Sequence, residues 1–113
     1  MQTITTNASN WSGETITVTI SDKDTFEFNG YTFSLERTRE EISDTVFELV
    51  KAYSPSWPDQ VVAVATRTTH LDKPHWNTPE WTAFDGEDIT EDTLSRDADS
   101  PEKAILKVLA NTI

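Results

Sequence analysis

Carboxylates and tryptophans are the residues of this chain whose types and spacing could do chemistry. Twenty Asp and Glu against nine Lys and Arg give a formal charge of −11 over 113 residues. Glu40, Asp44 and Glu48 recur four apart with Glu41 beside them, and Asp85, Glu87, Asp88, Glu91 and Asp92 run on to Asp97 and Asp99 with only Arg96 to relieve them. On a helix, acids four apart stack on one face about 6 Å from one another. The helix dipole accounts for Glu40 and Glu41 in a first turn, but Glu48 gains nothing from it. The two groups together present carboxylates where a nucleic-acid-binding protein expects phosphates, with a solvated face as the plain alternative.

The same residues exclude other chemistry. A charge of −11 argues against direct binding to a phosphate backbone and points to a basic partner. The acidic run lacks the D-x-[DN]-x-[DN]-G spacing and terminal glutamate of a calcium loop. His70, Asp72 and His75 lack metal-ligand spacing and a helix to orient the imidazoles. There is no cysteine, hence no disulfide or thiolate site. No P-loop, G-x-S-x-G or G-x-G-x-x-G is present, so no enzyme, cofactor or metal is expected. Trp57, Trp76 and Trp81 lie near prolines, and rigid aromatics on loops suit interface anchoring.

The elements that must position these groups start from Thr25–Leu35, where Asn29-Gly30 between alternating aromatic arms predicts a two-residue hairpin. Its register puts Phe26, Phe28, Tyr31, Phe33 and Leu35 on one side. Ile16, Val18 and Ile20 alternate with Thr15, Thr17 and Thr19 as a half-buried strand, so residues 14–37 read as a three-stranded meander. Thr38-x-x-Glu41 is a capping box, and Ile42, Val46, Leu49, Val50 and Tyr53 form an apolar stripe, predicting a helix to Tyr53. Phe47 falls off that stripe and is expected to pack against the C-terminal helix, with exposure as a contact residue as the alternative. Residues 55–58 read as a stiff corner, 60–69 as a central strand, 80–84 as a short strand and 85–99 as an acidic turn-prone segment. Ser100-Pro101 opens a final helix. The expected fold is therefore α+β: an antiparallel sheet of about five strands, β-β-β-α-β-β-α, with two helices on one face.

At this length the chain reads as one domain, 1–113. Its N-terminus lacks a basic and an apolar leader region and no run is long enough for a membrane span, so a cytoplasmic protein is expected. Glu80-Trp81-Thr82-Ala83-Phe84, a polar loop and Ser100-Pro101-x-x-Ala104-Ile105 resemble the closing pattern of small phage and prophage proteins of the ABA-sandwich type. That resemblance implies a mobile-element origin, where inhibitors of host defence such as anti-CRISPR proteins are an obvious class. The expected function is accordingly a non-enzymatic inhibitor that binds a basic nucleic-acid-binding host complex through its acids, with the tryptophans as anchors. A virion or oligomer assembly protein, or a halophilic domain of unrelated role, is the alternative.

Overall fold

The computed structural model describes residues 1–8, 13–54, 57–77, 79–86 and 93–112, with the backbone alone for 57–60. Among these, eight strands and one α-helix form. Strands β1 (Gln2–Asn7) and β2 (Thr15–Ile20) make a separate two-stranded sheet. Strands β3 (Thr25–Phe28), β4 (Tyr31–Ile42), β5 (Thr45–Ser54), β6 (Trp57–His70), β7 (Trp81–Phe84) and β8 (Ser95–Ala98) follow one another across an antiparallel six-stranded sheet. Helix α1 (Pro101–Thr112) closes the chain.

The β3–β4 hairpin has the register its turn dictates. Asn29 and Gly30 take φ of 52° and 80°, Phe28 faces Tyr31, and Phe26 faces Phe33 with ring centroids 5.3 Å apart. Positive φ at both central residues matches the twist of the flanking strands. The meander read over 14–37 is only half present, because β2 pairs with β1 and not with β3.

The larger correction concerns residues 38–54, which are strand and not helix. β4 runs on to Ile42, Ser43 (φ 54°) and Asp44 turn the chain, and β5 returns with Ile42 opposite Thr45. The stripe that suggested a helix divides cleanly by parity: Val46 and Val50 share one face with Ala52, while Leu49 and Tyr53 share the other with Phe47. A strand lying between two neighbours can use both faces, and the β-branched Thr38, Thr45, Val46 and Val50 suit it. Tertiary pairing thus overrides a capping box whose energy is local and small. Two further corrections follow the same logic. Trp57 and Pro58, read as the end of a stiff corner, already belong to the strand β6, while Pro55 and Ser56 lie outside the described residues, and Ser95–Ala98 of the acidic segment is an edge strand. The architecture is therefore mostly β, with a single described helix and not two on one face.

The inner face of the sheet carries Phe26, Phe33, Leu35 and Val50 and then a run of small residues, Ala52, Ala63, Ala65 and Ala83, all buried. Small side chains at the sheet centre let a helix approach closely, and α1 fills the space with Ile105, Leu106, Val108 and Leu109. The helix starts as read from the sequence, with Ser100 Oγ accepting the Lys103 N–H at 3.2 Å and Pro101 in the first turn. Hairpin β1–β2 shares this core through Ile4, Ile16, Val18 and Ile20, and Asn111 Nδ2 ties the end of α1 to the Ala8 carbonyl at 2.8 Å. One polar tie fixes the helix start on the sheet. Arg37 donates through Nη1 to the buried Glu102 at 2.8 Å and grips Asp24 with Nε and Nη2, both at 3.1 Å. The Asp24 hydrogen bonds, with a smaller contribution from Glu102, hold the guanidinium pKa above its ordinary value.

Strand lengths decide what is left uncovered. β4, β5 and β6 have 12, 10 and 14 residues against 4 in each of β3, β7 and β8. Beyond Arg37, the three long strands run on as a projecting end.

Candidate contact surface at the projecting end

The rungs of the projecting end can be read from the register. Thr38, Leu49 and Thr66 form one row, then Arg39, Glu48 and Arg67, then Glu40, Phe47 and Thr68, and finally Ile42, Thr45 and His70 near the tip. Side chains alternate between faces along each strand, so Glu48 points to the inner side while Glu40 points to the outer one. The four-residue acidic stripe expected on a helix is thereby split. Glu48 accepts from Arg67 Nη2 at 2.9 Å and Nε at 3.2 Å, so Arg67 answers its charge, and Arg39 is its register partner on β4. Arg67 in turn lies 4.8 Å over the Trp81 ring, which is buried. Trp81 is therefore a packing residue and cannot anchor a partner.

The acidic run is also divided from the first group. Asp85 follows Phe84, which pairs with Val64, six residues before His70 on β6. That places it roughly 20 Å from the tip. Its carboxylate accepts the Leu94 N–H at 2.9 Å, closing the β7–β8 loop. Asp97 accepts the Thr82 hydroxyl, and Asp99 lies 3.2 Å from Lys103. Glu87, Asp88, Glu91 and Asp92, together with the Trp57 side chain, lie outside the described residues. Among the described residues no three His, Asp or Glu side chains gather in a way that could hold a metal ion.

Three of the expected contact residues do come together. Glu40 and Asp44 lie at the projecting end, and Trp76 is brought beside them by the loop after β6. The Leu71 N–H donates to the Asp44 carbonyl at 2.8 Å, while the Asn77 side chain donates to the His70 carbonyl at 3.0 Å and accepts its N–H at 2.6 Å. A short 3₁₀ turn, Pro74–Trp76, then rests the indole edge-on against the His70 ring, with Lys73 Nζ 4.1 Å from the indole centroid. Five large hydrophobic side chains are exposed among the described residues, and four of them sit here: Ile42, Phe47, Leu71 and Trp76. Phe47 is 44% exposed on the outer face, away from α1, contrary to the packing expected of it. Sequence reasoning missed Ile42 and Leu71 as surface residues and held exposure of Phe47 only as the alternative to packing. The signal that could have found them is Ser43-Asp44, a two-residue turn between β-prone arms.

No protein family, curated protein or solved structure matches the chain. Among the described residues no helix is long and apolar enough to cross a membrane.

Proposed function

We propose that this chain is a non-enzymatic binding protein that blocks a basic, nucleic-acid-binding partner, in the manner of phage-encoded inhibitors of host defence. The observation that supports the reading is the grouping of Ile42, Phe47, Leu71 and Trp76 at one end of a chain of charge −11, with Glu40, Glu41, Asp44 and Asp72 exposed around them. Exposed apolar side chains gathered in one place and rimmed by polar groups mark protein contact sites. An aromatic and aliphatic centre supplies affinity, while carboxylates at the rim speed the encounter with a positive surface and reject a negative one. The contact is then apolar in the middle, with Glu40, Glu41, Asp44 and Asp72 at its border and Lys73 against the Trp76 ring, in place of a row of phosphate-like carboxylates.

The test is capture from host lysate by the tagged chain at low and at raised ionic strength, read by mass spectrometry. The expected result is recovery of nucleic-acid-binding proteins that raised salt releases and that Trp76→Ala no longer retains. Recovery of none at low salt refutes the reading.

A further inference from the structure

The outer face of the projecting end contains a hollow of about 610 Å³. Its position follows from the register. The backbones of Arg39, Glu48 and Arg67 form the floor, because those side chains point to the inner face. One wall is the row Thr38, Leu49, Thr66 and the other is the row Glu40, Phe47, Thr68. The trough therefore runs across three strands, and its size falls within the roughly 300–1,000 Å³ of hollows that hold ligands.

The chemistry of the walls selects the occupant. In the middle, Leu49 and the half-exposed Phe47 ring face each other as apolar surface. Around them the polar groups are three threonine hydroxyls and the exposed Glu40 carboxylate, and none of the six wall residues is a cation. The floor adds no donors, since backbone amides in the centre of an antiparallel sheet are already paired. Arg39 and Arg67 also line the hollow, but alternation turns their guanidinium groups to the inner face, where Arg67 pairs with Glu48, so an anion on the outer side would meet the Glu40 carboxylate first. A ligand with an apolar stem and several donors at its head fits each feature at once. The guanidinium of arginine stacks on an aromatic ring and donates in a planar fork to carboxylate and hydroxyl oxygens. We infer that this trough seats an arginine side chain carried by an extended basic segment of the partner protein. The inference deepens the proposed function and rests on its premise of a basic partner. A second copy of the chain is disfavoured as the occupant: two molecules of charge −11 would meet face to face, bringing Glu36 and Glu40 against their counterparts.

A titration of the isotope-labelled full chain with a ten-residue peptide of alternating arginine and valine tests the assignment by amide chemical shifts. The same peptide with citrulline at the arginine positions is the control. Saturable shifts centred on Glu40, Phe47, Leu49, Thr66 and Thr68, absent with citrulline, are expected. Glu40→Gln should weaken the peptide roughly threefold and Phe47→Ser roughly tenfold. Glu27→Gln, on β3 and outside the trough, should leave binding unchanged. Both trough side chains are exposed, so the variants keep the fold, which circular dichroism verifies. Shifts centred instead on Asp97 and Asp99, or equal binding of the citrulline peptide, would overturn the arginine seat while leaving a basic partner standing. Absence of any saturable shift would also overturn it, and salt-sensitive capture from lysate then reports separately on the wider reading. Wall shifts that appear without peptide and grow with protein concentration, alongside dimers in sedimentation, would assign the trough to a second copy and overturn the proposal.

Discussion

Replacing Arg37 by Met should expose how much of this fold depends on one cation. Glu102 is 8% exposed, and its carboxylate rests against Arg37 Nη1 at 2.8 Å at the point where α1 meets the sheet. Removing one partner of a fully buried pair costs about 3–5 kcal/mol, because a charge is left without an answer in a poor solvent. Arg37 itself is 37% exposed, so water can reach the vacated space, and a loss of about 2 kcal/mol is the fair expectation. Asp24 loses two hydrogen bonds but stands partly in water and adds little. For a chain of this length, about 2 kcal/mol lowers Tm by roughly 8 °C. Calorimetry on Arg37→Met, Glu102→Gln and the double variant separates the causes. If the penalty is the stranded Glu102 charge, neutralising it in the Arg37→Met background recovers about 1 kcal/mol or more, so the two losses do not add. The deficit should also be flat with pH as far as the guanidinium is concerned. Its pKa is raised on folding, so its contribution is complete below the unfolded value and fades only in strong alkali. A loss under about 0.5 kcal/mol, or strictly additive losses, would refute the reasoning.

Further outcomes can be stated briefly. Phe33→Ala, removing a fully buried ring stacked on Phe26, should cost about 3–5 kcal/mol in urea unfolding. Gly30→Ala places a Cβ at φ 80° in open space, so backbone strain alone acts and a loss of roughly 1–2 kcal/mol is expected by thermal denaturation. Ser43→Gly relieves a non-glycine residue at φ 54° in the β4–β5 turn and, after the extra entropy of the unfolded chain, should be neutral to stabilising by about 0.5 kcal/mol, whereas Ser43→Val should destabilise by more than about 1 kcal/mol. Ser100→Ala deletes the helix cap and should cost about 1 kcal/mol in the same assay.

What could be read in advance was whatever local chemistry decides alone. Asn29-Gly30 has one good turn conformation, and it fixes the register of every aromatic in β3 and β4. Ser100-Pro101 likewise needs no tertiary help to start a helix, and Ile105, Leu106, Val108 and Leu109 supply its inward face. Residues 38–54 were different, because a strand with apolar side chains on both parities produces the same spacings as a helix with a broad stripe. Which of the two forms depends on whether neighbours offer hydrogen bonds on both sides, and β6 lies far along the chain. Ser95–Ala98 escaped for a related reason. An edge strand of four residues among acids carries almost no pattern of its own and is assigned only once β7 is in place to receive it.

The candidate site follows from that same misread segment. A helix would have gathered Glu40, Asp44 and Glu48 on one face, whereas the sheet's twofold alternation sends Glu48 inward, to Arg67, and leaves Glu40 outward. Charge was thus placed by secondary structure and not by spacing. With both faces of β5 apolar and, among the described residues, a helix and a hairpin packed only on the inner one, the outer face leaves Phe47 and part of Leu49 to water, beside the carboxylate that alternation put there. Covering Phe47 in the free protein would need a further element on the outer side, and the described chain spends its helix and its β1–β2 hairpin on the other face. An apolar ring next to an acid, held on rigid strands instead of a loop, costs the free protein little ordering when a partner arrives. The arginine seat and the exposed patch are for that reason one continuous surface, and Phe47→Ser should weaken partner capture and peptide binding together while leaving Tm within about 1 °C of the parent.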